Sequence, residues 1–138
     1  MIDSFDKDYA FLSNFYNAYV IYKGLLYQNS EAAFQAQKCP LRAHEFCCLP
    51  PNKAKKLGRQ VELRIDWEQV KDTEMYEIVK AKFTQNPDLK DLLIKTANEE
   101  LIEGNYWNDT YWGVCKGIGQ NKLGKILMRI REELKNEA

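Results

Sequence analysis

The sequence predicts an α+β fold, mainly helical with a small β-hairpin or sheet, in a single domain spanning residues 1–138. Three observations predict it. Apolar residues recur at helical spacing between Trp67 and Phe83, between Leu89 and Thr96, and between Leu123 and Leu134. β-forming residues flank a Lys23-Gly24 pair near the start of the chain. A length of 138 residues without a break in composition suffices for one core and is short for two.

Each element follows from its residues. In "YVIYKGLLYQ", Gly24 supplies the positive φ of a two-residue turn, so Tyr19 to Tyr27 reads as a hairpin. Ser30 is placed to cap the helix in "NSEAAFQAQK", and Pro40 disfavours helical geometry at Cys39, which limits that helix to about two and a half turns. "PPNKAKKLGRQ" opens with proline where a helix tolerates it and closes at Gly58, giving another short helix. Val61, Leu63 and Ile65 alternate with Glu62 and Arg64, the pattern of a half-buried strand. Val70, Met75, Ile78, Val79 and Phe83 mark a long core helix from about Trp67 that stops before Pro87, and Leu89, Leu92, Leu93 and Thr96 continue with helical spacing. "ELIEGNYWNDTYWG" reads as irregular or partly extended. Leu123, Ile126, Leu127, Ile130 and Leu134 draw one stripe along a terminal helix.

Composition excludes some functions. The 20 basic and 20 acidic residues cancel, leaving no overall field to gather a long polyanion; a nucleic-acid substrate would have to be held locally. No apolar run approaches the ~20 residues that cross a bilayer, and "MIDSFDKDYAFL" lacks a signal peptide's pattern, so the expected location is the cytoplasm, without a membrane partner. Cys39, Cys47, Cys48 and Cys115 form no CxxC pair and His44 is the single imidazole, so free thiols and no metal site are expected.

Chemistry concentrates in two stretches. Glu31, Phe34, Gln35 and Lys38 share a helix face, and Lys38 leans back toward Glu31. Their backbones are roughly 10 Å apart, which favours convergence on one bound molecule over direct pairing. The alternative is a surface helix whose charges complement its dipole; Ala32, Ala33, Phe34 and Ala36 weigh against it by predicting burial. In "NYWNDTYWGVCKGIGQNKLG", aromatic residues surround Asp109, and a glycine-bearing turn enters the last helix. Gly117, Gly119 and Gly124 do not form GxGxxG, because Lys122 holds the last position, which excludes a dinucleotide-binding βαβ unit. The turn could instead offer N–H groups to a phosphate, with Asn121 capping the helix or touching ligand, or be a plain helix entry. Trp67 and Trp112 offer flat faces to a base or ribose, unless they are core, and Arg59 could clamp a phosphate or bridge surface carboxylates.

"FLSNFY", "SEAAFQAQK", "LGR", "DWE", "KF", "LIE", "NDTYWG" and "GQNKLGKILMRIREEL" occur in that order over nearly the whole chain. Together they resemble the YbiA-like family, also called the NADAR domain. The resemblance implies an N-glycosidase that hydrolyses the ribose–nitrogen bond of reactive riboflavin-pathway intermediates, aminopyrimidine ribosylamino-phosphates, and releases ribose 5-phosphate. Alternatives within the same resemblance are removal of ADP-ribose from ADP-ribosylated guanine in nucleic acid, or a non-catalytic module that binds ADP-ribose or NAD.

Carried over by motif, the candidate catalytic residues are Glu31, Trp67, Asp109 and Lys38, and the candidate substrate-binding residues are Asn14, Phe15, Arg59, Trp112, Gly113, Asn121 and Gly124. Some relatives have histidine after the motif glutamate; this chain has Ala32. The cysteine content of "CPLRAHEFCCLPP" is also not a family trait. Substrate, a small phosphorylated N-riboside, is expected between the first helix and the "NDTYWG" loop. Glu31 and Asp109 would divide the roles of acid and charge stabiliser, in an order the sequence leaves open. In a variant mechanism, Lys38 exchanges into the opened aminoriboside as a Schiff base. Neither a metal nor a cofactor is expected, and oligomeric state is left open.

Overall fold

The structure, a computed structural model, describes residues 1–137. The chain forms two compact units, Asn14–Asn86 and Met1–Ser13 with the segment from Pro87 onward.

In the first of these, strands β1 (Val20–Tyr22) and β2 (Leu25–Tyr27) form the expected hairpin, with Val20 opposite Tyr27 and Ile21 opposite Leu26. Both turn residues have positive φ, 48° at Lys23 and 83° at Gly24, the pair that matches the twist of the strands. Val20 and Tyr27 point inward and are buried; Ile21 and Leu26 face outward. Helix α1 covers Ser30–Ala36. Its cap is Asn29 and not Ser30: the Asn29 side chain accepts from the Ala32 N–H at 2.7 Å, because Asn29 is the extended residue and Ser30 is already helical. A 3₁₀ turn over Pro40–Phe46, which the sequence did not announce, leads to α2 (Pro51–Gly58).

The strand expected over Val61, Leu63 and Ile65 does not form. Val61 is buried, but Leu63 and Ile65 are exposed and the backbone is irregular. The segment is strapped to the turn after α1, where the Arg64 N–H donates to the Lys38 carbonyl at 2.8 Å, and to the helix that follows, where the Arg64 guanidinium reaches Glu74 at 3.5 Å.

Helix α3 (Trp67–Gln85) carries the predicted stripe, with Trp67, Met75, Ile78, Val79 and Phe83 buried. It also braces the hairpin. The Gln85 side chain accepts from the Ile21 N–H at 2.8 Å and donates to the Ile21 carbonyl at 2.9 Å, standing in for a strand neighbour along β1. Buried Glu74 accepts from the Tyr22 hydroxyl and from the Lys23 ammonium, the latter at 2.8 Å.

In the second unit, α4 (Pro87–Lys95) packs on α5 (Lys122–Asn136). Leu89, Leu93, Leu123, Leu127, Ile130 and Leu134 are buried, whereas Leu92 is exposed and Ile126 half-buried. The aromatic segment is irregular between two short parallel strands, β3 (Gly104–Asn105) and β4 (Val114–Cys115). Among the described residues no helix is long and apolar enough to cross a membrane.

Candidate functional site

Helix α1 is held so that its charges face a defined environment. The Glu31 N–H donates to the Asn14 carbonyl at 3.1 Å, and the Ser30 hydroxyl donates to Asn14 Oδ1 at 3.1 Å, so "FLSNFY" is tied to the start of the helix. Asn14 is itself buried, with Nδ2 directed at Met75 sulfur 3.3 Å away. Glu31 is 9% exposed, and one turn along the helix Gln35 Nε2 donates to its Oε2 at 2.7 Å. Phe34, on the same face, packs against Trp67 with ring centroids 5.2 Å apart. Trp67 is 6% exposed, so its rings serve the wall behind α1.

The helix is shorter than the sequence suggests: it ends at Ala36, and Lys38, half-buried, follows in the turn beyond it, where it is the electrostatic centre of the cluster. Burial pushes its ammonium below the ordinary lysine value; the Glu31 carboxylate opposes that shift, and Arg59, Lys55 and Lys71 add to it. Lys55 and Arg59 lie four residues apart on α2 and its C-cap, on one face, and the Lys55 ammonium sits 5.9 Å from the centre of the exposed Phe15 ring. Lys71 also pairs with Glu68. The expected Glu31, Lys38, Phe15 and Arg59 are thus joined by Lys55 and Lys71, which sequence reasoning missed, and by Gln35, which it placed on the Glu31 face without a role. The i,i+4 spacings of Glu31 with Gln35 and of Lys55 with Arg59 were the available signals.

The remaining candidates lie in the aromatic loop of the other unit. Asp109 Oδ1 accepts the N–H groups of Tyr111 at 3.1 Å and Trp112 at 2.9 Å, closing the turn that sets the "YWG" segment. Asn105 secures the same turn, donating to the Asp109 carbonyl and to Glu103 Oε2, each at 2.9 Å. Trp112 is half-buried, edge-on to Tyr111 at 4.8 Å. Asn121 does not cap α5: its Oδ1 accepts the Glu103 N–H at 2.9 Å and its Nδ2 donates to the Leu101 carbonyl at 3.0 Å. Gly113 and Gly124 are sites of close approach. A Cβ on Gly113 would lie 2.2 Å from the Glu103 carbonyl oxygen, and one on Gly124 would lie 2.2 Å from that of Leu101.

Comparison with known proteins bears on this arrangement. Residues 2–135 match the model of the NADAR domain. The chain is 38% identical to N-glycosidase YbiA of Escherichia coli, over 95% of this chain and 85% of that protein. It is 35% identical to an N-glycosidase of Nostoc punctiforme, over 94% of this chain and 88% of that protein. A riboflavin biosynthesis protein of Vibrio vulnificus is 36% identical over 96% of this chain, which spans 38% of that longer relative. The NMR structure of the E. coli protein YbiA superposes with a TM-score of 0.86 at 37% identity, covering 99% of this chain and 88% of that one.

The chain belongs to the NADAR domain family.

Within this NADAR domain, the buried Glu31 carboxylate stands by Lys38, which follows α1 and feels the cations of α2 and its C-cap (Lys55, Arg59) and of α3 (Lys71). Such an arrangement can hold an anionic group at the lysines and arginine while the carboxylate faces a centre that becomes positive.

Proposed function

We propose that this NADAR domain is an N-glycosidase of riboflavin-pathway metabolism whose substrate is a small N-riboside carrying a phosphate. The observation that carries the reading is the juxtaposition of buried Glu31 with the Lys38, Lys55, Arg59 and Lys71 cluster. The cluster supplies binding for a phosphate, Arg59 being able to take it with two parallel hydrogen bonds. Neutral overall charge supports a metabolite over a polymer that needs a long basic track.

In the reaction the C1′–N bond breaks and its electron pair leaves with the base nitrogen. The ribose C1′ and ring oxygen share the resulting positive charge, and a carboxylate at Glu31 stabilises it. Water adds to C1′, and one proton passes to the departing nitrogen, so ribose 5-phosphate and the free aminopyrimidine are the products. Asp109 has Oδ1 taken by two backbone N–H groups, so a proton-donor role for this carboxyl would fall to its Oδ2. The Lys38 amine, its proton loosened by burial, is suited to the imine variant.

The test is release of ribose 5-phosphate from an aminopyrimidine ribosylamino-phosphate by the purified protein, beside Glu31→Gln and beside the dephosphorylated riboside. Release that is lost in the variant and weakened without the phosphate is expected. Release of ADP-ribose from an ADP-ribosylated guanine oligonucleotide, with the riboside untouched, would move the protein to nucleic-acid repair. Binding of ADP-ribose with neither substrate cleaved would make it a binding module.

A further inference from the structure

We propose that Gln35 is a positioning residue that keeps Glu31 ionised and aimed, and that it reaches this place because residue 58 has no side chain. The inference rests on Glu31 being the working carboxylate and adds how that carboxylate is held.

Two independent observations meet at Gln35. Its Nε2 donates to Glu31 Oε2 at 2.7 Å, while its own Oε1 is buried without a hydrogen-bond partner among the described residues. A buried amide oxygen without a donor is costly, and the opposite orientation of the amide would turn an acceptor toward Glu31 and leave two N–H bonds without an acceptor instead. The orientation present is the one that a charged carboxylate selects. Only the ionised form of Glu31 accepts this bond at full strength, so Gln35 favours that form over the protonated acid. With the Lys38 ammonium facing Glu31 as well, the bond favours the charge-stabilising role for this carboxylate and leaves proton donation to another group.

The packing beside the amide explains how it fits there. A Cβ built on Gly58 would lie 1.9 Å from Gln35 Oε1 and 2.8 Å from its Cδ. Gly58 ends α2 without a left-handed φ, so glycine is not required there by the backbone. What its hydrogen makes room for is the Gln35 amide.

The experiment compares Gln35→Met, which fills similar space without a donor, with Gly58→Ala, which leaves Gln35 in place chemically and displaces its amide. Two quantities are read: the Glu31 carboxyl titration by carbon-13 NMR, and the pH dependence of kcat/KM. In both variants the Glu31 midpoint is expected to move upward and kcat/KM on the acid side to fall about ten- to hundredfold, the value of a hydrogen bond to a charged group. Adding Gly58→Ala to Gln35→Ala is expected to change neither quantity further, since the amide is gone and what remains is a 3.3 Å contact with the Cβ of residue 35. A Glu31 midpoint unchanged in Gln35→Met, with only the melting temperature lowered, would overturn the proposal and leave Gln35 a packing residue. If the midpoint moves while Glu31→Gln remains active, the positioning stands and the catalytic assignment of Glu31 fails.

Discussion

Asn14 and Glu31 are joined through the backbone: the Glu31 N–H donates to the Asn14 carbonyl at 3.1 Å, just where the Ser30 hydroxyl reaches Asn14 Oδ1. The first N–H groups of a helix have no partner within it, so this contact satisfies one of them and fixes the rotation of α1 about its axis. The polar side chain of Asn14 therefore works from behind the helix, and the direction in which Glu31 faces depends on it.

Asn14→Ala is accordingly expected to destabilise the protein by about 1–3 kcal/mol, the range for stranding buried polar partners. Urea denaturation measures this. A contact made only with substrate would leave the urea midpoint unchanged and raise KM alone.

Asp109 separates turn formation from chemistry by its two oxygens. Asp109→Asn keeps an acceptor at the Oδ1 position for the Tyr111 and Trp112 N–H groups, whereas Asp109→Ala keeps none. The alanine variant is expected to lose roughly 1–2 kcal/mol, as when a capping side chain is removed. The asparagine variant is expected to melt like the parent and to lose about a hundredfold or more in kcat, the scale for removing a general acid. Full activity in a normally folded Asp109→Asn would reduce this residue to a turn former.

Gly124 tests packing against ligand binding. Because an added Cβ would meet the Leu101 backbone oxygen at 2.2 Å and both polar atoms of the Asn121 side chain, Gly124→Ala must shift backbone. A loss of about 1–3 kcal/mol is expected, the scale of overpacking. Thermal melting reads it directly, and an unchanged melting temperature with weakened substrate binding would restore a ligand role.

What could be read in the sequence was what is decided locally. The Lys23-Gly24 turn and the stripes of α3 and α5 depend on neighbours within a few residues, and they appear where the pattern puts them. Val61, Leu63 and Ile65 carry an equally local alternation, but a strand exists only with a partner alongside, and the segment gains a tie to Lys38 instead. The cap of α1 moved by one residue because Asn29 and Ser30 are both competent, and tertiary contact with Asn14 draws the serine away. At the site, Glu31 and Lys38 were legible because a helical spacing brings them to one side, and their charges do interact although the helix stops at Ala36. The fit of Gln35 into the space at Gly58 was not, since it depends on how α1 meets α2.

Lys82 was legible in principle, four residues beyond Ile78 on the apolar face of α3, but lysine is so seldom buried that the pattern argues against itself. It is 1% exposed, with its ammonium 5.8 Å from the centre of the Tyr16 ring and 5.1 Å from that of Phe83. Burial lowers its pKa from the ordinary 10.5 to about 7. The unfolded chain then binds a proton that the folded chain lacks between about 7 and 10.5, so this residue makes stability rise with pH across that window. Below the window both states are charged and the full penalty of burying the ammonium is present; above it both are neutral and the penalty is gone. Lys82→Met fills similar space without a charge. Its urea midpoint is expected to exceed that of the parent most at pH 6 and to approach it as pH rises toward 10, the other lysines cancelling in the difference. A gap that stays constant from pH 6 to pH 10 would mean that Lys82 is charged throughout, with its ammonium held by partners strong enough to offset burial.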